Sequence, residues 1–155
     1  MNAALHLKPN HQAVRAFFQE LTTLQHAHAH HEGAVAPAFA ALLRVCASQM
    51  PGWKLVEQYA IQRDGRRPIR VDGAILDGFE LRLGIWEAKD RQDDLGREIT
   101  RKFAEGYPKD NILFQTPDRL VLWQNGREVV AAPIEEHAPK GSIDGLQSFF
   151  GSQPP

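Results

Sequence analysis

Leu81-Arg82-Leu83-Gly84-Ile85-Trp86-Glu87-Ala88-Lys89-Asp90 is the stretch of this 155-residue chain that decides its fold. Side chains alternate along a β-strand, so Leu81, Leu83, Ile85, Glu87 and Lys89 are expected on one face. That row begins apolar and ends in a carboxylate and an ammonium. Burying such groups is costly unless they are paired or bind an ion, and function is the usual reason for it. Just upstream, Asp72 sits between Val71 and Gly73, where a hairpin would bring its carboxylate beside Glu87. The pattern is Asp72, fourteen residues, then Glu87-Ala88-Lys89. Two carboxylates on neighbouring strands make a hard-oxygen site that suits Mg²⁺ or Mn²⁺ and leaves positions for water and a phosphate. A lysine two residues on could orient or deprotonate the water, or neutralise charge growing on the phosphate. Spacing of this kind also arises by chance, and the competing reading is a surface Glu-Lys pair on an edge strand.

Outward from this strand, the hydrophobic period changes along the chain. Over residues 10–24, Val14, Phe17, Phe18, Leu21 and Leu24 recur at helical spacing behind a possible cap, Asn10. A second helix is expected after Pro37, where Phe39, Leu42, Leu43, Cys46 and Met50 repeat until Met50-Pro51-Gly52 stops it. Residues 53–62, 69–76 and 81–89 read as three strands in a meander. Leu95, Ile99 and Phe103 mark a helix that Gly106, Tyr107 and Pro108 end. Residues 111–115 and 119–124 read as strands, and Asn125-Gly126 signals a tight hairpin into residues 128–132. Residues 143–150 could form one or two helical turns, with 151–155 a disordered tail or the start of a linker.

Composition bounds the rest. The length suits one domain, expected over residues 1–150. The longest apolar run, residues 34–43, is about half of what a membrane-spanning helix needs, and the lone Cys46 allows neither an internal disulfide nor a zinc cage. A reducing, cytoplasmic setting fits. Lys and Arg total 18 against 19 Asp and Glu, for a net charge of -1. Any attraction to nucleic acid must therefore come from a local patch. Arg63, Arg66, Arg67 and Arg70 form one, with a solvated turn between strands as the plainer reading.

The order helix, three strands, helix, strand, with carboxylates on the second and third strands, resembles the PD-(D/E)xK nuclease core. Trp86-Glu87-Ala88-Lys89-Asp90, Asp93-Asp94-Leu95, Phe103 with Gly106-Tyr107-Pro108, Asn111-Ile112-Leu113-Phe114, Val121-Leu122 and Gln124-Asn125-Gly126 resemble the Mrr-like nuclease domain of type ISP restriction-modification enzymes. Upstream, Glu32 with Pro37-Ala38-Phe39 and Leu42-Leu43 is similar to that family's first helix. The resemblance covers residues 32–126. It implies an α/β, restriction-endonuclease-like mixed central sheet flanked by helices. It further implies that Asp72 and Glu87 ligate the metal, that Lys89 serves the attacking water, and that Glu32 is a supporting helix acid. The family's polar residues after that glutamate are Gly33 and Ala34 here, which leaves Glu20 as the alternative acid.

The activity so implied is Mg²⁺-dependent endonucleolytic cleavage of double-stranded DNA with little sequence specificity, since one small domain shows no obvious reader of base edges. In the family such a domain is fused to helicase, methyltransferase and target-recognition modules. The alternative is a non-catalytic DNA-binding or protein-interaction module that keeps the nuclease fold. Arg66, Arg67, Arg97, Arg101 and Lys102 are expected to grip phosphates, while Arg97 and Arg101 could instead pair with Asp93, Asp94 or Glu105 along their own helix. His26, His28, His30 and His31 lack a recognised ligand spacing and read as a solvated helix end.

Overall fold

The computed structural model describes residues 5–90 and 94–151. Two helices, α1 (Gln12–His26) and α2 (Glu32–Ser48), precede the hairpin β1 (Lys54–Arg63) and β2 (Arg66–Leu76), then β3 (Arg82–Ala88) and α3 (Leu95–Ala104). Strands β4 (Asn111–Gln115), β5 (Arg119–Gln124) and β6 (Arg127–Pro133) follow, and α4 (Lys140–Gly151) closes the order. The six strands form one sheet in sequence order. β1, β2 and β3 are the expected antiparallel meander, β3 and β4 run parallel with α3 as the crossover, and β4, β5 and β6 are antiparallel. Among the described residues no helix is long and apolar enough to cross a membrane.

The apolar side chains divide into two layers. On one face Phe17, Phe39, Leu43, Trp86, Leu113, Leu122 and Phe149 join α1, α2 and α4 to the sheet. On the other, Ile69, Val71, Ile85, Ile112, Phe114 and Val121 meet Leu95 and Ile99 of α3. A strand covered on both faces reads as continuously apolar, and β4 is buried at every residue. Close approach of α4 depends on glycine: a Cβ at Gly84 would lie 2.6 Å from the Phe149 ring, and one at Gly145 would lie 2.5 Å from Leu120. Asn125 (φ 53°) and Gly126 (φ 78°) make the expected hairpin turn, since both central residues adopt the left-handed conformation it requires.

Several expectations need correction. The cap of α1 is His11, whose Nδ1 accepts from the Ala13 N–H at 3.0 Å, and not Asn10. Helix α2 begins at Glu32, so Pro37 lies inside it. So near the start of a helix the missing N–H costs a single bond, to Gly33, and the longer helix buries Val35 completely. β2 begins at Arg66, so Arg66 and Arg67 are strand residues beyond a two-residue turn, with Arg63 paired to Arg66. α4 runs for 12 residues and includes Gly151, placed in the tail by the sequence reading; the rest of that tail, residues 152–155, lies outside the described residues, as does Asp93.

The even alternation expected along residues 81–89 also fails at its start. Leu81 precedes β3 and is exposed. Leu83 packs with the α1, α2 and α4 layer, whereas Ile85 belongs to the α3 layer. The register between β2 and β3 shifts between Ile75 and Leu76, which breaks the two-residue period there.

Candidate active site

The site is built where two strands part. β2 and β3 pair as far as Gly73 with Trp86. One step further the Ala88 N–H donates to Asp72 Oδ2 at 2.8 Å. β3 meanwhile stays with β4: Ala88 pairs with Gln115, and the Lys89 N–H donates to the Gln115 carbonyl at 2.8 Å. A side-chain carboxylate thus stands where a backbone ladder would have continued. β2 also changes face around Asp72, since Ile69 and Val71 join the α3 layer while Ile75 joins the other. On β1, Gln58 faces this point with φ 51°, and its carbonyl accepts from Arg70 Nη1 at 3.1 Å.

Glu87 lies beside Phe114 of β4 and shares its face, towards α3. It is 4% exposed and sits on an interior strand, which excludes the surface pair on an edge strand as an account of it. Its carboxyl lies close enough to Asp72 to feel that group's charge. Burial first, then the charge of Asp72, push its pKa up to about 8, against smaller opposing effects from Lys102 and Lys89. Its Oε1 has no hydrogen-bond partner among the described residues. A buried carboxylate oxygen without a donor is costly, and a hard divalent cation is the chemistry that would satisfy it. Among the described residues no group of three or more His, Cys, Asp or Glu side chains forms a metal cage. Asp72 and Glu87 therefore fit an ion that keeps water or substrate oxygens in its remaining positions, as Mg²⁺ does.

Lys89 is half-buried, and its Nζ lies 3.4 Å from Glu98 Oε2. Glu98 also accepts from Arg101 at 2.6 Å; Arg101 and then Lys89 hold its carboxyl below the usual range. Tyr107 is buried under α3, and its hydroxyl accepts from Lys102 Nζ at 3.2 Å. Burial, followed by the charge of Glu87, pushes that phenol up to about 12. Glu98 and Tyr107 were not among the site residues expected from sequence. For Glu98 a signal existed: it lies beside Ile99, at the border of the apolar stripe of α3. Tyr107 carried no such mark, because its sequence context reads as a helix stop.

The remaining expected residues lie on other elements. Glu32 is the first residue of α2, and Glu20 is exposed on α1. Arg97 is exposed and lies 3.6 Å from Asp94, while Arg101 pairs with Glu98 and Glu105, so both helix arginines make the local pairs that competed with phosphate binding. The hairpin tip reaches the end of α3: Arg63 Nη1 donates to the Glu105 carbonyl at 3.0 Å, and a Cβ on Gly106 would lie 3.6 Å from Arg66 Nη1. Arg66 and Arg67 are exposed there. Cys46 is wholly buried, and burial pushes its thiol up to about 12, which suits a core side chain and not a nucleophile.

Among solved structures, the chain is similar to DrdV, seen by cryo-electron microscopy in a complex with DNA, with a TM-score of 0.84 and 32% sequence identity. The match covers 93% of this chain and 14% of the DrdV chain, so this chain spans only a small part of that protein. No protein-family model matches the chain, and no curated protein matches it. The mixed six-stranded sheet with four helices, together with this likeness, makes the fold restriction-endonuclease-like.

Proposed function

We propose that the chain is a Mg²⁺- or Mn²⁺-dependent endodeoxyribonuclease domain of the Mrr-like PD-(D/E)xK kind, acting in a restriction-modification system of the type ISP sort. Residues 1–150 would form the domain. The observation that carries this reading is Glu87: an interior carboxyl within reach of a second one, with an unpartnered oxygen, two residues before a half-buried lysine. The DNA in the DrdV complex supports DNA as the substrate.

Hydrolysis of a phosphodiester forms a bond from a water oxygen to phosphorus and breaks one ester P–O bond, with a proton passing to the departing oxygen. A divalent cation held by Asp72 and Glu87 would supply Lewis acidity towards the phosphoryl oxygens. The Ala88 N–H fixes one oxygen of Asp72, so that carboxylate is oriented before substrate arrives. Lys89, steadied by Glu98, would direct the attacking water and offset the negative charge that grows on the phosphate. Glu32 would be the supporting helix acid. Arg66 and Arg67 at the hairpin tip would touch phosphates of the duplex. Sequence selection would come from target-recognition, methyltransferase and helicase modules of a larger polypeptide, in the cytoplasm.

Nicking of a supercoiled plasmid tests the reading. Cleavage should require Mg²⁺ or Mn²⁺, stop with a chelator, and be lost in Asp72→Ala. A folded protein that binds DNA yet cleaves it with neither ion would instead be a non-catalytic module.

A further inference from the structure

Helix α3 is amphipathic in a particular way. Leu95 and Ile99 are buried with Phe103 partly buried beside them, and Arg97, Thr100 and Arg101 face outward. On the shoulder between them stand Glu98 and Lys102, one turn apart. Glu87 lies on β3 and Lys89 one residue past its end, two residues apart. The two spacings match: two strand residues rise about 6.6 Å and four helical residues about 6 Å. The signs are crossed: Glu98 stands at Lys89, and because α3 runs back along β3 as the crossover to the parallel strand β4, Lys102 one turn on comes level with Glu87. Lys102 is not a loose surface charge. It is half-buried, bonded to the Tyr107 hydroxyl at 3.2 Å and held over that ring at 4.7 Å from its centre.

Resting on the reading of Asp72 and Glu87 as a metal site, we propose that Glu98 and Lys102 are positioning residues through which α3 sets how tightly the carboxylate pair holds a divalent cation. Glu98 aims Lys89 and takes up part of its charge, so the ammonium repels an incoming ion less. Lys102, anchored on Tyr107, keeps a positive charge on the Glu87 side of the site that repels an incoming ion. Lys102 is thereby a residue of the metal site and not of the phosphate clamp.

The experiment is calorimetric titration of the full chain with Mn²⁺, comparing wild type, Glu98→Gln, Lys102→Met and the double variant, each first checked for folding by thermal denaturation. Removing Lys102 should tighten Mn²⁺ and removing the charge of Glu98 should weaken it. Each change should be about five- to ten-fold, the order expected when one nearby unit charge acts on a divalent ion in a water-like dielectric. The double variant should return close to wild type, and Tyr107→Phe, which frees Lys102, should move affinity in the direction of Lys102→Met. A structural role for α3 would move both single variants the same way or not at all, which would overturn the proposal. It is also overturned if Lys102→Met leaves Mn²⁺ affinity unchanged but lowers the salt dependence of DNA binding, because Lys102 would then be a phosphate contact. Mn²⁺ binding that Asp72→Ala abolishes and α3 variants ignore refutes this proposal alone; absence of Mn²⁺ binding by wild type refutes the metal site as well.

Discussion

Replacing Glu87 by Gln should make the metal-free protein more stable in alkali. The Glu87 carboxyl titrates near 8 in the fold against an ordinary 4.5, so between those values the native state holds a proton that the unfolded chain has lost. Stability from this group is complete below pH 4.5 and disappears as pH rises through 8. The 3.5-unit gap (8 minus 4.5) at 1.36 kcal/mol per unit gives about 5 kcal/mol as an upper bound. Water entry and adjustment of Asp72 reduce it, and we expect about 2–5 kcal/mol. The amide of Gln has nearly the same size and never ionises, so it escapes the loss. A change of about 1 kcal/mol in hydrogen-bond quality is smaller than this effect. Urea denaturation in a chelator at pH 5, 7 and 9 measures it. The two proteins should be nearly equal at pH 5, and the variant should be more stable at pH 9. Added Mg²⁺ should restore wild type at pH 9 and leave the variant unmoved. Equal stability differences at pH 5 and pH 9 would refute a buried carboxyl whose pKa is raised.

Mg²⁺ affinity of wild type should tighten by up to about tenfold per pH unit until the pH passes about 8, because binding must displace the Glu87 proton; calorimetry at several pH values measures this. Gly84→Ala should destabilise by about 1–3 kcal/mol, since its Cβ would lie 2.6 Å from the Phe149 ring, and chemical denaturation reads the loss. Arg97→Ala should change stability by less than about 0.5 kcal/mol, because its pair with Asp94 is exposed. The Arg66→Ala, Arg67→Ala double variant should lower the slope of log affinity against log salt on duplex DNA by about 1.8, two contacts at about 0.9 each; an unchanged slope would mean the hairpin tip merely faces solvent.

Local patterns determined a good part of this protein. The apolar, β-prone content of residues 81–89, the Asn125-Gly126 turn and the stripe Leu95, Ile99, Phe103 are consequences of backbone geometry within a few residues, so β3, the β5–β6 hairpin and α3 were legible without a structure. Asp72 and Glu87 were legible as a pair because a hairpin between adjacent strands leaves few registers. Other features depend on partners distant in sequence. Pro37 reads as a helix boundary until Val35 is seen buried in the core. The length of α4 follows from its packing over Leu120 and Ala132, which its own glycines at 141 and 145 permit and its propensity does not suggest. The parting of β2 from β3, which frees the Ala88 N–H for Asp72, follows from β3 remaining paired with β4. Glu98, Lys102 and Tyr107 meet the β3 charges only because α3 crosses back over the sheet. Charges on separate elements leave no period in a sequence, and only packing decides which of them come close enough to act on one another.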